Sequence, residues 1–341
     1  MNNRERFKLT MMFKPVDRLP MIEWATWWDK TLERWYSEGL PSILIDDGEI
    51  REYFGLDCYR QIWIRAIGDN CPAPKTYGAG LIKDIKEYKE IKKYLYPKNF
   101  FDNIFPILEK WSEKQKKGDM VIWITLDGFF WFPRQLFGIE QHLFAFYDNE
   151  ELMHQINSDL VEFHLWAINE FCKICTPDFM TFAEDMSYNN GPMLSKKCFD
   201  KFLAPYYHKI IPSLKKKGII PFIDSDGNIF QMIKWIERVG IEGGLPLERR
   251  AGTDIIKIRE FFPKFKMIGG FDKTVMSQGE KMMRQEFERI FPIMSQGGYI
   301  PSVDHQTPPD VSLKQYHCYV SLLKEYCEKA AKVYSDIYLH K

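Results

Sequence analysis

No stretch of the chain approaches the run of about 18 apolar residues that a membrane-spanning helix needs. No Gly/Ser linker, low-complexity tract or fixed-period repeat interrupts its 341 residues. Charge of one sign is not in excess: 47 Lys and Arg balance 47 Asp and Glu. The chain therefore lacks the basic surplus that nucleic acid or an anionic bilayer would attract, and neither is expected as a partner. Neither G-x-G-x-x-G nor G-x-x-x-x-G-K-[ST] occurs. The pair Gly269-Gly270 runs into Phe271 and Asp272 rather than a helix opening that could cradle a pyrophosphate. Dinucleotide and nucleoside triphosphate chemistry is disfavoured. Cysteine offers no framework either. Seven are scattered at Cys58, Cys71, Cys172, Cys175, Cys198, Cys318 and Cys327, an odd number that reads as reduced thiols. Cys172 and Cys175 form a lone C-x-x-C late in an apparent helix, Val161 to Cys175, and read as structural. Met1 to Arg6 is polar with no apolar stretch after it, so no signal peptide is expected and the cytoplasm is the expected compartment.

What is present is core material and aromatic surplus. Hydrophobic residues make up 45% and charged residues 28%, a globular balance. Aromatics reach 16%, with 10 Trp and 26 Phe, enough for some to line a pocket. Short apolar runs recur and end in acidic residues: Leu19–Trp24, Val121–Leu126, Phe179–Glu184, Gly218–Asp224, Ile241–Leu247, Met267–Phe271 and Tyr299–Asp304. Segments with helical spacing lie between the later ones: Ser195–Lys217, Ile229–Val239, Ile255–Phe262, Gly279–Met294 and Pro309–Tyr334. Strands alternating with helices predict a parallel sheet. The β/α-sized spacing and the polar residue at nearly every carboxyl end favour a barrel over a doubly wound sheet. The expectation is an α/β fold: one domain over residues 1–341, a single distorted (β/α)8 TIM barrel with an N-terminal helical and hairpin excursion. Only seven runs read as strands. The eighth is missing or irregular, and Asp46–Tyr94, with a strand-like Gln61–Ile67, reads as the excursion.

Closing the barrel would gather the strand-end groups on one rim: Glu23, Asp127, Glu184 with Asp185, Asp224 with Asp226, Glu248, Asp272, and Asp304 with His305. Asp224-Ser-Asp226-Gly-Asn places two carboxylates at a turn where they could ligate a cation or move a proton, or where one could cap the next helix. His305 follows an Asp and precedes Pro308-Pro309. With Asp224 and Asp226 it makes a three-ligand metal candidate with open positions. Glu184 and Asp185 are further catalytic candidates, as base or substrate anchor. Trp24, Trp27, Phe130 and Trp131 could be core or the wall of a substrate pocket. Arg134 could meet a carboxylate, and Glu23 and Tyr188 join the substrate-binding set.

These stretches carry a resemblance. Pro15-Val16-Asp17-Arg18-Leu19-Pro20 is similar to the N-terminal signature of the uroporphyrinogen decarboxylase-like superfamily. So are Gly128 through Phe129-Phe130-Trp131 to Arg134, Gly138 and Phe146-Tyr147-Asp148; Asp185 to Gly191-Pro192-Met193-Leu194-Ser195; Phe202 to Pro205-Tyr206; Gly240 to Pro246-Leu247-Glu248; Gly269-Gly270; and Gly297-Gly298-Tyr299-Ile300-Pro301. The resemblance implies a distorted barrel with its site at the carboxyl rim. It also implies one of two activities, porphyrinogen decarboxylation or corrinoid-dependent methyl transfer. Decarboxylases carry an Arg-rich segment after the first strand, where this chain reads Glu23-Trp24-Ala25-Thr26-Trp27-Trp28-Asp29; a polycarboxylate would meet rings and acids there. Zinc methyltransferases carry H-x-C-G where this chain has Asp224-x-Asp226-Gly227, and a Cys near the last strand where it has His305. The spacing resembles the methyltransferase branch with harder ligands, suited to zinc or another divalent metal.

The expected function is transfer of a methyl group from a small O- or N-methylated molecule, such as a methoxylated aromatic, to a corrinoid. The alternative is decarboxylation of a porphyrinogen or a smaller carboxylated substrate. No D-x-H-x-x-G corrinoid signature occurs, so the corrinoid (cobalamin) is expected on a separate protein. The resemblance leaves homodimerisation open.

Overall fold

The computed structural model describes residues 1–339. Seven strands form one sheet in chain order: β1 (Tyr59–Ile64), β2 (Val121–Asp127), β3 (Phe179–Ala183), β4 (Ile220–Asp224), β5 (Gly243–Leu245), β6 (Lys266–Phe271) and β7 (Tyr299–Val303). Every neighbouring pair is parallel. Helices intervene as the spacing predicts, including Glu150–Phe171, Ala204–Lys216, Phe230–Arg238, Glu280–Met294 and Leu313–Leu339. No helix among the described residues is long and apolar enough to cross a membrane.

The eighth stave is the segment expected to be the first strand. Leu19–Trp24 has no strand hydrogen bonding, yet it fills the gap between β7 and β1. Ile22 packs inside the ring with Tyr59, Trp123, Phe179, Phe222, Leu245, Ile268 and Ile300, one side chain from each strand. Pro20 has no N–H to give to a ladder, and side chains supply the missing partners. Met21 N–H donates to Asp57 Oδ2 at 3.0 Å and Trp24 N–H to Ser302 Oγ at 3.3 Å. The Tyr59 hydroxyl donates to the carbonyls of Glu23 and Trp24.

Two sequence expectations are corrected here. Leu19–Trp24 is a stave without a ladder, and the missing strand is β1, inside the supposed excursion; it pairs parallel with β2 rather than forming a hairpin. Its four central residues are half-buried, and Arg60 and Gln61 break the continuous apolar run by which the other strands were recognised.

The barrel interior is layered. Phe7 and Met11, from the helix Asn3–Met11, join the apolar ring and are fully buried, worth roughly 1.5–3 kcal/mol each. Residues two positions along each strand point the same way, and there the interior turns polar. Gln61 Nε2 donates to Thr125 Oγ1 at 2.8 Å, Thr125 and Thr181 share a 2.8 Å hydrogen bond, and Trp123 Nε1 donates to Thr181 Oγ1. Two residues further still, at the end of β2, lies the rim acid Asp127.

Candidate active site

The strand-end acids divide into two groups. Asp127, Glu184, Asp272 and Asp304 are spent on tying rim loops. Asp127 accepts from Ala66 N–H at 2.6 Å and Trp63 Nε1 at 3.2 Å. Glu184 accepts from the backbone N–H groups of Phe129, Phe130 and Trp131 and from the Tyr207 hydroxyl. Burial pushes its carboxyl up to about 7 against those four donors. Gly128 lets the loop approach this closely, since a Cβ there would stand 2.1 Å from Glu184 Cδ. Asp272 caps the turn at Thr274 and pairs with Arg250 at 2.9 Å. Asp304 accepts from Arg249 N–H and Lys273 N–H, joining the loops after β5 and β6, and burial pushes it up to about 6.

The remaining acids, Asp185, Asp224, Asp226 and Glu248, are gathered with His305. Asp185 sits at φ 40, unusual for a residue with a side chain. That conformation aims its carboxylate back to Asp226 N–H at 3.2 Å. Burial, then the neighbouring Asp226, raises it to about 6. Asp224 ends β4, and its carboxylate accepts no hydrogen bond among the described residues. Burial and the charges of Asp185 and Asp226 hold it well above the ordinary range. Asp226 Oδ2 stands 3.6 Å from His305 Nε2. Glu248 Oε2 accepts from Gly227 N–H at 2.9 Å.

Asp226, Glu248 and His305 each offer a ligand atom, all within 4.8 Å of one another. Two carboxylates and one imidazole, half-buried, suit a divalent ion such as zinc or manganese. The turn carrying Asp226 is clamped from outside. Ser187 Oγ donates to Asp226 O at 2.6 Å, and Asn228 N–H donates to Tyr188 O at 2.9 Å. Gly227, at φ 82, permits this contact, because a Cβ would meet the Tyr188 backbone at 2.7 Å.

Residues 132–326 match the model of the uroporphyrinogen decarboxylase (URO-D) family. The chain belongs to that family. No curated protein matches it in sequence. Among solved structures, a methyltransferase from Methanosarcina mazei shares the fold with a TM-score of 0.67 at 14% identity, over 96% of this chain and 99% of that one. A protein described as a vitamin B12-independent methionine synthase from Listeria monocytogenes aligns with a TM-score of 0.43 at 12% identity, over 95% and 98% of the two chains.

In this URO-D family protein, several expected site residues lie elsewhere. Glu23 is buried and turned away from the acid cluster, bonded to Ser302 Oγ and the Tyr316 hydroxyl, and burial raises it to about 7. Trp27 packs among Trp35, Phe54 and Tyr316 in the core. Phe130 is fully buried against His142 and Phe146. These rings point outward from the barrel into the helical layer, so neither walls a pocket. Trp24 does reach the site, its ring 6.3 Å from that of His305 and its Nε1 donating to Val303 O. Tyr188 is half-exposed above Gly227. Of the expected metal set, Asp226 and His305 lie in the converging group, joined by Glu248, and Asp224 does not. Glu248 ends the Gly243-Gly244-Leu245 strand like the other acids, and only its approach to His305 singles it out. Trp63 and Arg65, at the end of β1, lie in the strand-like stretch assigned to the excursion and were not singled out. The Arg65 guanidinium lies 4.3 Å over the Trp63 ring.

Proposed function

We propose that this protein is a methyltransferase that takes a methyl group from a small O- or N-methylated molecule and delivers it to a corrinoid carried by a separate protein. The observation that carries the reading is the convergence of Asp226, Glu248 and His305 within 4.8 Å beside Asp185 and Asp224. An alkoxide, phenoxide or amide ion leaves poorly unless its developing charge is neutralised. Asp226, Glu248 and His305 would hold a divalent ion, which supplies a Lewis acid for the leaving heteroatom. Asp185 and Asp224 stand beside it to deliver a proton to that atom, and Trp24 would confine the substrate against His305. The C–O or C–N bond breaks, the methyl goes to the reduced corrinoid as acceptor, and the heteroatom keeps the bonding pair. The fold shared with the Methanosarcina methyltransferase supports the reading. The harder ligand set marks a departure from thiolate zinc.

The test is to mix the purified protein with a reduced corrinoid carrier and a panel of methoxylated and N-methylated small molecules, and to follow the corrinoid's absorbance. Methylation with at least one donor is expected; none across a broad panel overturns the reading.

A second reading, decarboxylation, draws on family membership and on Arg65 and Arg134. Neither guanidinium has an ion-pair or hydrogen-bond partner among the described residues, and both follow strand ends. Formation of coproporphyrinogen from uroporphyrinogen would establish it.

A further inference from the structure

Gly227 follows Asp226 in the turn after β4, and both of its backbone groups are held by the loop after β5. Its N–H donates to Glu248 Oε2 at 2.9 Å, and its carbonyl accepts from the Thr253 hydroxyl at 2.9 Å. The Thr253 N–H in turn donates to the Glu248 carbonyl at 3.1 Å. Gly227, Glu248 and Thr253 thus close a ring of three hydrogen bonds between loops that follow neighbouring strands. Thr253 is buried, and its hydroxyl oxygen also accepts from Ile229 N–H at 3.4 Å, so one side chain holds the turn on both sides of Asn228. Gly252, at φ 94, lets the loops come this close, because a Cβ there would stand 2.9 Å from Asn228 Nδ2.

The ring spans the two carboxylates of the candidate metal group. Asp226 immediately precedes Gly227, and Glu248 is itself a member, so these three bonds tie the two ligand-bearing loops to each other. Leu247, just before Glu248, is held at φ 65, a conformation that a residue with a side chain keeps only where its surroundings over-determine it. The loop after β5 also reaches the third ligand, since Arg249 N–H donates to Asp304, the neighbour of His305. Thr253 stands outside the group, with its hydroxyl spent on Gly227 and Ile229.

Resting on the metal-assisted methyl-transfer reading, we propose that Thr253 is a positioning residue: its hydroxyl sets the spacing at which Asp226 and Glu248, with His305, take one divalent ion. Hydrogen bonds that orient metal ligands without touching the ion are worth about 10- to 100-fold in affinity. Removing the hydroxyl leaves the Gly227 carbonyl without its donor and frees the Asp226 turn from the loop of Glu248. The ion must then order its own ligands, and affinity is lost to that ordering.

The test is titration of the chelator-treated full chain with Co²⁺, followed by its visible absorption, and with Zn²⁺ in competition. Thr253→Val should weaken both metals about tenfold or more and alter the Co²⁺ spectrum. Thr253→Ala should do the same, whereas Thr253→Ser, which keeps the hydroxyl, should stay within about threefold of wild type. Ser112→Ala removes a comparable hydroxyl-to-carbonyl hydrogen bond, to Ile174 at 3.0 Å, at the amino end of the barrel. It should change metal affinity by less than about twofold even where it lowers the melting temperature as much. Wild-type affinity in Thr253→Val, a loss in Thr253→Ser as large as in Thr253→Val, an equal loss in Ser112→Ala, or a wild type that binds neither metal would each overturn the inference. None of these measurements uses a methyl donor or a corrinoid. Positioning by Thr253 in a protein that demethylates nothing would keep the inference and remove the methyl-transfer reading. Demethylation by a protein whose metal affinity ignores Thr253→Val would do the reverse.

Discussion

Asp226 and His305 meet 3.6 Å apart although they lie on the loops after β4 and β7, on different sides of the barrel mouth. Glu248, from the loop after β5, completes the group. Titration of the chelator-treated protein with Zn²⁺ or Mn²⁺ tests whether the three act together. Asp226→Asn, Glu248→Gln and His305→Ala should each weaken binding by more than about tenfold, and Asp224→Asn by less than about threefold. Equal loss in Asp224→Asn would restore the ligand set expected from sequence.

Glu184 is a positioning residue, and its removal should be felt in stability. Glu184→Ala leaves three backbone N–H groups and the Tyr207 hydroxyl without their acceptor in a fully buried place. The expected cost is roughly 3–5 kcal/mol, read by denaturant unfolding. A loss under about 1 kcal/mol would show that the loop is held by its packed rings instead.

Glu23 gives a pH signature. Burial lifts its carboxyl from 4.5 to about 7 in the folded protein. Its protonated form therefore favours folding fully below about pH 4.5, and that contribution is lost as pH rises through 7. Glu23→Gln, which cannot ionise, should be more stable than wild type at pH 8, by up to about 3 kcal/mol. The advantage should shrink toward pH 5. Parallel melting curves for the two proteins over that range would contradict the assignment.

Trp24 and Trp27 should separate by assay. Trp27→Ala opens a cavity among Trp35, Phe54 and Tyr316 and should cost about 3–5 kcal/mol, with KM in any assay of the proposed reaction unchanged within about twofold. Trp24→Phe keeps the ring beside His305 but loses the hydrogen bond to Val303. It should lower kcat/KM by about tenfold with a stability loss near 1 kcal/mol.

The barrel was legible because its strands are continuous apolar runs, a pattern that burial on both faces imposes. β1 was read only as a strand-like stretch of the excursion because Arg60 and Gln61 interrupt that pattern, and Leu19–Trp24 looked like a strand because its composition is that of one. What it lacks is a ladder, and that depends on Asp57, Ser302 and Tyr59, distant in sequence. Among the rim acids, composition could not distinguish a carboxylate that ties a loop from one left free. Glu184 and Asp185 are adjacent, yet one is saturated by backbone donors and the other turned to Asp226 by a positive φ.

The sequence alone determined the parallel alternation of strands and helices, the acidic carboxyl rim and the membership its motifs suggested, because periodicity and local composition are properties of neighbours along the chain. Only the tertiary structure decided which acids converge, and that Glu248 and not Asp224 brings a ligand atom to Asp226 and His305. Those outcomes depend on hydrogen bonds and packing between strands far apart in sequence, and no local pattern encodes them.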